Sequence, residues 1–570
     1  MSTSSNEKEK SSYNVNPVVS VAYGELENQF SHRTVRTGPY GLDQLAFADE
    51  KQTTKLLTEA QANLELAAEQ GYKPELRRNF GVISLLGVGF GLTNSWFGIS
   101  ASLVAGISSG GPMMIIYGII IIACISMCIA ISLSELVSAM PNAGGQYYWT
   151  LKLAPPKYAN FFAYMCGAFA WAGSVFTSAS VTISLASSIV GMYLLVHPNT
   201  EFKTWYVFVT YELLNLFMVV FNLYEKPLPT ISKLSLYVSL CSFAIITIVI
   251  LVKAEGEFQP ATFVFRDFTN GTGWNSSAIA FIVGLINPNW SFSCLDAATH
   301  LSEELLHPRT QIPIAIIGTV IIGFVTSFCY AIAMFFCIKD LTSIQSSITG
   351  VPIMDIFYQV MKSKSGAIGL QFLILLTALG CNINSHTWQA RLCWSFSRDN
   401  GLPGSKYWSQ VNPRTGMPVN AHLMSCAWCA VIGCIYVGST TAYNSLVIGC
   451  IIFLLLSYSV PVIFLLIKGR DNIKHGPFWM GKIGLVSNYV LVFWTCFATV
   501  FYSLPPVMPV SAGNMNYVCA VIGVFFCYCV IYWYARGKGK FRQNDHDIHA
   551  VTSQLSNQVT NLEVILSHQK

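Results

Sequence analysis

Charged side chains are scarce in this chain. Asp, Glu, Lys and Arg make up 11% of its 570 residues, where a water-soluble protein of this size carries about 25%. Hydrophobic residues reach 53% and mean hydropathy is +0.50. A soluble globular fold is therefore excluded, and the composition is that of a polytopic membrane protein. No apolar leader opens the chain: residues 1–79 are polar, so the first hydrophobic span is expected to act as signal and anchor. Also missing is any nucleophile–base or metal cluster with coherent spacing. The 17 cysteines lie almost entirely inside apolar runs and read as small core residues. Cys426-Ala-Trp-Cys429 has a metal-like spacing but sits in an apolar run without partners. Neither enzymatic activity, a metal, a cofactor nor a nucleic-acid partner is expected.

What the chain has is a series of apolar runs, each long enough for the ~20 residues that cross a bilayer. They fall at about 80–104, 112–138, 160–196, 204–224, 234–252, 278–298, 313–337, 366–390, 417–437, 443–467, 484–504 and 515–534. The pattern predicts an all-α integral membrane protein with twelve transmembrane helices. A polar N-terminal tail (1–79) would precede a transporter domain (80–534), and a polar C-terminal tail (535–570) would follow it. In the first tail Leu56 to Ala68 is helix-prone, and the remainder is expected to be mobile. Lys and Arg concentrate on one side of the spans, for example Arg77, Arg78, Lys152, Arg391, Arg398, Arg470, Arg536 and Lys538. That bias predicts two cytosolic termini. It also puts the sequons at Asn270 and Asn275 in an outside loop.

Two of the runs are interrupted. One reads Gly284-Leu-Ile-Asn287-Pro288-Asn289-Trp290. Pro288 lacks an N–H and crowds the carbonyl one turn back, and the asparagines compete with the backbone for hydrogen bonds. The other reads Gly87-Val-Gly89-Phe-Gly91-Leu-Thr-Asn94-Ser-Trp96. Irregular backbone at membrane depth is tolerated only where it is buried in protein or lines a cavity. The breaks lie in spans 1 and 6, five crossings apart, so the second half enters the membrane in the opposite sense. Two broken spans in corresponding places of inverted halves point to a secondary transporter that holds its substrate between them. Glycines that only permit close helix packing are the rival reading. The repeats would cover about 80–252 and 278–467, with two extra spans at about 484–534.

These features resemble the amino acid–polyamine–organocation superfamily. Ser134-Glu135-Leu with Pro141-Asn-Ala-Gly144-Gly145-Gln-Tyr147 is similar to its signature after span 2. Glu303-Glu304 with Pro308-Arg309 is similar to its signature after span 6. The denser similarity is to fungal choline permeases, carried by residues 86–100, 106–114, 151–157, 284–295 and 386–394. The resemblance implies a five-plus-five inverted repeat of the leucine-transporter type. It further implies plasma-membrane import of choline, with ethanolamine-like amines as further substrates, by alternating access driven by the membrane potential; an amino acid or 4-aminobutyrate permease is the alternative. Partners would be the small cation, membrane lipid and, left open by the residues, a co-transported proton.

Choline is a permanent cation without an N–H, so aromatic faces do much of the selecting. The candidates beside the breaks are Trp96, Phe97, Trp290 and Phe292, with Trp171 on span 3. Gly87, Gly89 and Gly91 expose backbone N–H groups at the break. Asn94, Asn287 and Asn289 offer partners for the substrate hydroxyl. Asp296 either balances the cation through space or belongs to an intracellular gate; a charge at this depth is rarely idle. Glu135, Glu303 and Glu304 are expected at the inner boundary as gate or structural charges. His300 and His386 either relay protons or are structural.

Overall fold

The computed structural model describes residues 50–72, 75–345, 349–542 and 548–569. Most of the N-terminal tail (1–49) and the segment 543–547 lie outside the described residues. Among those described, eleven helices have the length and composition to cross a bilayer. Span 1 runs over Val82–Ala101, span 2 over Gly111–Ala139, span 3 over Ala159–Val196, span 4 over Thr204–Phe221 and span 5 over Leu228–Lys253. Span 7 covers Pro308–Cys337, span 8 Lys364–Arg398, span 9 Val419–Gly438, span 10 Thr440–Lys468, span 11 Lys482–Phe501 and span 12 Val518–Lys540. The twelfth crossing, span 6, is broken into the short helices Ser277–Gly284 and Ile286–Ser291, followed by the 3-10 turn Thr299–Glu304.

Corresponding spans of the two halves pack pairwise. Span 2 lies against span 7, span 3 against spans 8 and 10, and the second half of span 1 against the middle of span 6. Span 1 is 83% buried over its apolar window, whereas span 12 is 17% buried. The first is the axis of the molecule and the last an outer addition.

Span 1 breaks at one residue. The helix Val82–Thr93 ends where Asn94 adopts a left-handed conformation (φ 36°, ψ 63°), and helix resumes at Ser95. Asn is among the few side chains that occupy that region readily. Gly87, Gly89 and Gly91, which the sequence placed in the break, instead lie in continuous helix. A Cβ on Gly87 would sit 2.3 Å from the backbone oxygen of Ser232, and one on Gly91 would sit 2.6 Å from Asn384 Nδ2. These glycines let spans 5 and 8 approach the helix closely.

Span 6 also departs from the sequence expectation. Asn287, Pro288 and Asn289 are helical, inside Ile286–Ser291. Pro288 stands in the first turn of that helix, where its missing N–H has no intrahelical acceptor in any case. The disruption falls before it, at Leu285, and more extensively after it. From Phe292 to Ala298 the chain is a series of turns, with Cys294 left-handed (φ 66°).

A separate unit joins the ends of the chain. Helix Glu50–Glu65 packs on helix Ile548–Gln569 through Ala60, Val559 and Leu562. Gln61 Nε2 donates to Glu563 Oε1 across the pair (3.4 Å). The first of these helices overlaps the stretch read as helix-prone. The second was not expected.

Candidate functional site

A cavity of about 590 Å³ extends from Phe97 and Trp290 to the loops at Gly350–Ile353 and Pro506–Val507. Its walls come from both halves: span 1 after the Asn94 break, span 3, span 6 before its long unwound stretch, and spans 8 and 10. Among the described residues lining it there is no Asp, Glu, Lys, Arg or His. Hydroxyls stud one face of span 3, at Ser180, Ser184, Ser187 and Ser188, a spacing that puts them on one stripe of a helix. Phe97 and Trp290 meet edge to face at 6.4 Å. The Trp290 indole donates to Ser180 Oγ (3.3 Å), which fixes the ring against span 3.

Of the aromatic candidates, only Phe97 and Trp290 line this cavity. Trp96 is fully buried and turned the other way. Its Nε1 donates to Ser239 Oγ on span 5 (2.9 Å), and its ring lies 5.2 Å from Tyr330 on span 7. Phe292 is buried against Gly323 of span 7. Trp171 meets Trp428 edge to face at 6.3 Å, on the side of span 3 that faces span 9. The asparagines weld the two broken spans to their surroundings. Asn287 Nδ2 donates to Ser102 Oγ (2.6 Å) and Ile99 O (3.3 Å) of span 1, Asn289 Nδ2 to Tyr502 OH (3.0 Å), and Asn94 Oδ1 accepts from Ser239 (3.1 Å). Asp296 lies in the unwound part of span 6, fully buried. It accepts from Tyr458 OH at 2.6 Å and Gln146 Nε2 at 2.7 Å, with His300 Nε2 at 3.0 Å. Asp296 is not among the described residues that line the cavity.

The model of the family described as "Amino acid permease" matches residues 80–525. The chain belongs to that amino acid permease family. It is 64% identical over 466 residues to a choline transporter of Saccharomyces cerevisiae, covering 82% of this chain and 83% of that one. It is 36% identical to the 7-keto 8-aminopelargonic acid transporter of the same yeast, over 81% and 93% of the two chains. It is also 32% identical to a swainsonine transporter of Arthroderma benhamiae, over 87% and 98%.

In this permease the three remaining acidic candidates sit in ion pairs away from the cavity. Glu303 pairs with Arg398 (2.7 Å) and Glu304 with the fully buried Arg391 (2.8 Å), which clamps the exit of span 6 onto span 8. Glu135 pairs with Arg470 (2.8 Å) and accepts from the Met480 N–H, tying span 2 to the loop between spans 10 and 11. In the loop after span 4, Glu225 accepts from Asn79 Nδ2 (2.5 Å) and lies 3.7 Å from Arg77. Burial, reinforced by the nearby charge of Glu304, pushes its carboxyl up to about 7.

Sequence reasoning missed part of the permease's lining: the span 3 serines, Tyr436, Tyr443 and Gln371. The signal was present, because Thr177 to Ser188 carries seven hydroxyl residues in twelve positions. It also missed a convergence of donors. Cys426 Sγ lies 3.6 Å from His386 Nδ1 and 3.8 Å from His422, all buried between spans 8 and 9. Spacing alone pairs Cys426 with Cys429; its histidine neighbours come from a distant helix and from one turn away. The sequons at Asn270 and Asn275 are on exposed residues beside the 505–509 loop, at the end of the molecule where the cavity's loops lie.

Proposed function

We propose that this permease imports choline across the plasma membrane by alternating access, with both termini in the cytosol. The observation that carries the reading is a cavity bordered by Phe97 and Trp290 and, among the described residues lining it, free of charged side chains. A quaternary ammonium has no N–H to give a carboxylate, so ring faces suffice to hold it, each contributing about 0.5–2 kcal/mol. An amino acid or 4-aminobutyrate would bring a carboxylate, for which the described residues lining this cavity offer no cationic side chain. The high identity to a choline transporter supports the same choice. Gln371 is a natural partner for the substrate hydroxyl: its Nε2 donates to Ser188, while its buried Oε1 has no partner.

The ligand's fixed charge gives the direction. Inward movement gains about 2.3 kcal/mol per 100 mV of inside-negative potential, enough to accumulate choline by some tens of fold. No chemical step is required of the protein. The test is uptake of labelled choline by the purified, reconstituted carrier under an imposed potential, with unlabelled competitors. Choline itself should compete and 4-aminobutyrate should not. Competition by 4-aminobutyrate with none by choline would overturn the assignment.

A further inference from the structure

Past Trp290, in the unwound stretch of span 6, Asp296 and His300 share a pocket from which solvent is absent; both are fully buried. His300 Nδ1 lies 2.6 Å from the carbonyl oxygen of Ala143. A carbonyl only accepts, so Nδ1 must carry a hydrogen. The other ring nitrogen, Nε2, faces Asp296 Oδ2 at 3.0 Å. A carboxylate also only accepts. A neutral imidazole has a single N–H, already used on Ala143. This contact therefore needs one more proton, resident either on Nε2 or on the carboxyl group. Without it, a nitrogen lone pair would confront an anionic oxygen at hydrogen-bond distance in a medium that does not screen the repulsion.

We propose that Asp296 and His300 bind one transported proton, and that this proton latches span 6 to the loop after span 2. The proposal rests on the transport reading above and deepens it by naming where a coupled ion sits. The latch joins the two halves of the molecule. Ala143 and Gln146 belong to the connection after span 2, Asp296 and His300 to span 6, and Tyr458 to span 10. The loop comes so close that a Cβ on Gly145, whose φ is +51°, would lie 3.1 Å from His300 Cε1. The other titratable groups around Asp296 are Tyr458 from span 10, Cys166 from span 3 and Cys294 from its own stretch. All three are neutral acids, and none supplies a positive charge in place of the proton. Loss of the proton sets the Nε2 lone pair against the Asp296 carboxylate, and that repulsion drives apart the two residues through which the unwound stretch holds the loop, His300 on Ala143 and Asp296 on Gln146. Binding restores the contact. Asp296 and His300 are not among the described residues lining the cavity that Phe97 and Trp290 border, so the latch acts outside that cavity, on the stretch of span 6 that follows Trp290.

The test uses the full chain in liposomes with the potential clamped at zero and labelled choline as the probe. In the wild type, an inward gradient of one pH unit should drive accumulation approaching tenfold, the limit for one proton per choline. Asp296→Asn and His300→Gln should lose gradient-driven accumulation. Counterflow of choline at equal pH reports whether any chain carries choline at all. Wild-type counterflow that is absent overturns the choline reading. Counterflow that is present, with accumulation indifferent to the gradient, overturns the proton site and leaves the choline reading standing. Accumulation retained by either variant overturns the site as well. If both variants lose counterflow, Tyr458→Phe decides. Removing its hydroxyl takes a donor from the carboxylate, so the pH midpoint of uptake should rise by about one unit. An unmoved midpoint rejects the proposal.

Discussion

Spans 1 and 6 carry related sequences at corresponding places, yet they break differently. Span 1 changes direction at a single left-handed Asn94 and is helical again at once. Span 6 falters at Leu285, recovers for one and a half turns, then stays unwound through Ala298. The tryptophans differ as well. Counted from Gly91, Trp96 is the fifth residue; counted from Gly284, Trp290 is the sixth. One residue turns a helix by about 100°. In register, the counterpart of Trp290 is Phe97, and those two rings meet over the cavity. The counterpart of Trp96 is Asn289, and both are turned into the protein. The corresponding positions in the two spans thus both face the cavity, while the residue type there differs.

The sharpest way to break this comparison is to truncate each tryptophan. Trp96→Ala removes a fully buried ring wedged between spans 5 and 7 and should destabilise the carrier by about 3–5 kcal/mol. Thermal unfolding in detergent would measure it, and the preference for choline over competitors should not change. Trp290→Ala should instead act on binding, raising the KM for choline uptake about tenfold with a smaller loss of stability; Trp290→Phe, which keeps a ring face, should lie between. Wild-type KM in both variants would remove Trp290 from the site. Asn94→Ala tests the hinge of span 1: a side chain that resists the left-handed region should cost about 1–2 kcal/mol, and Asn94→Gly should recover most of it. The smallest effect concerns Glu225. Its carboxyl is held up at about 7, so between the ordinary carboxylate range and that value the folded protein binds more protons than the unfolded chain. Stability should therefore fall as pH rises through about 4.5 to 7. Glu225→Gln should flatten that slope when melting is compared at pH 5 and pH 8.

The spans were legible because each apolar run must match the bilayer thickness, and most observed ends fall within a few residues of the runs. The breaks were legible as regions but not as residues. Pro288 looked like the breaking point because it cannot sit inside a helix, yet it opens one. The glycines of span 1 looked like exposed backbone, and only their distances to Ser232 and Asn384 reveal a packing face. Trp96 and Trp290 both follow the breaks, and their one-residue offset from Gly91 and Gly284 separates their roles. From the sequence Asp296 reads either as a charge that balances the cation or as part of an intracellular gate; Gln146 and Tyr458 come to it from distant elements and His300 from one turn on, which no local spacing announces. The C-terminal helix has a readable signal at Leu555, Val559 and Leu562, hidden because each stands between polar residues.

The contact of Ala60 with Val559 and Leu562 also has a topological consequence. Helices Glu50–Glu65 and Ile548–Gln569 are rich in polar residues and pack on each other, so a chain that holds both in water crosses the bilayer an even number of times between them. Eleven long helices alone would strand the ends apart. The fragmented stretch from Ser277 to Glu304, too irregular to be recognised by length, must therefore make the traverse that restores parity.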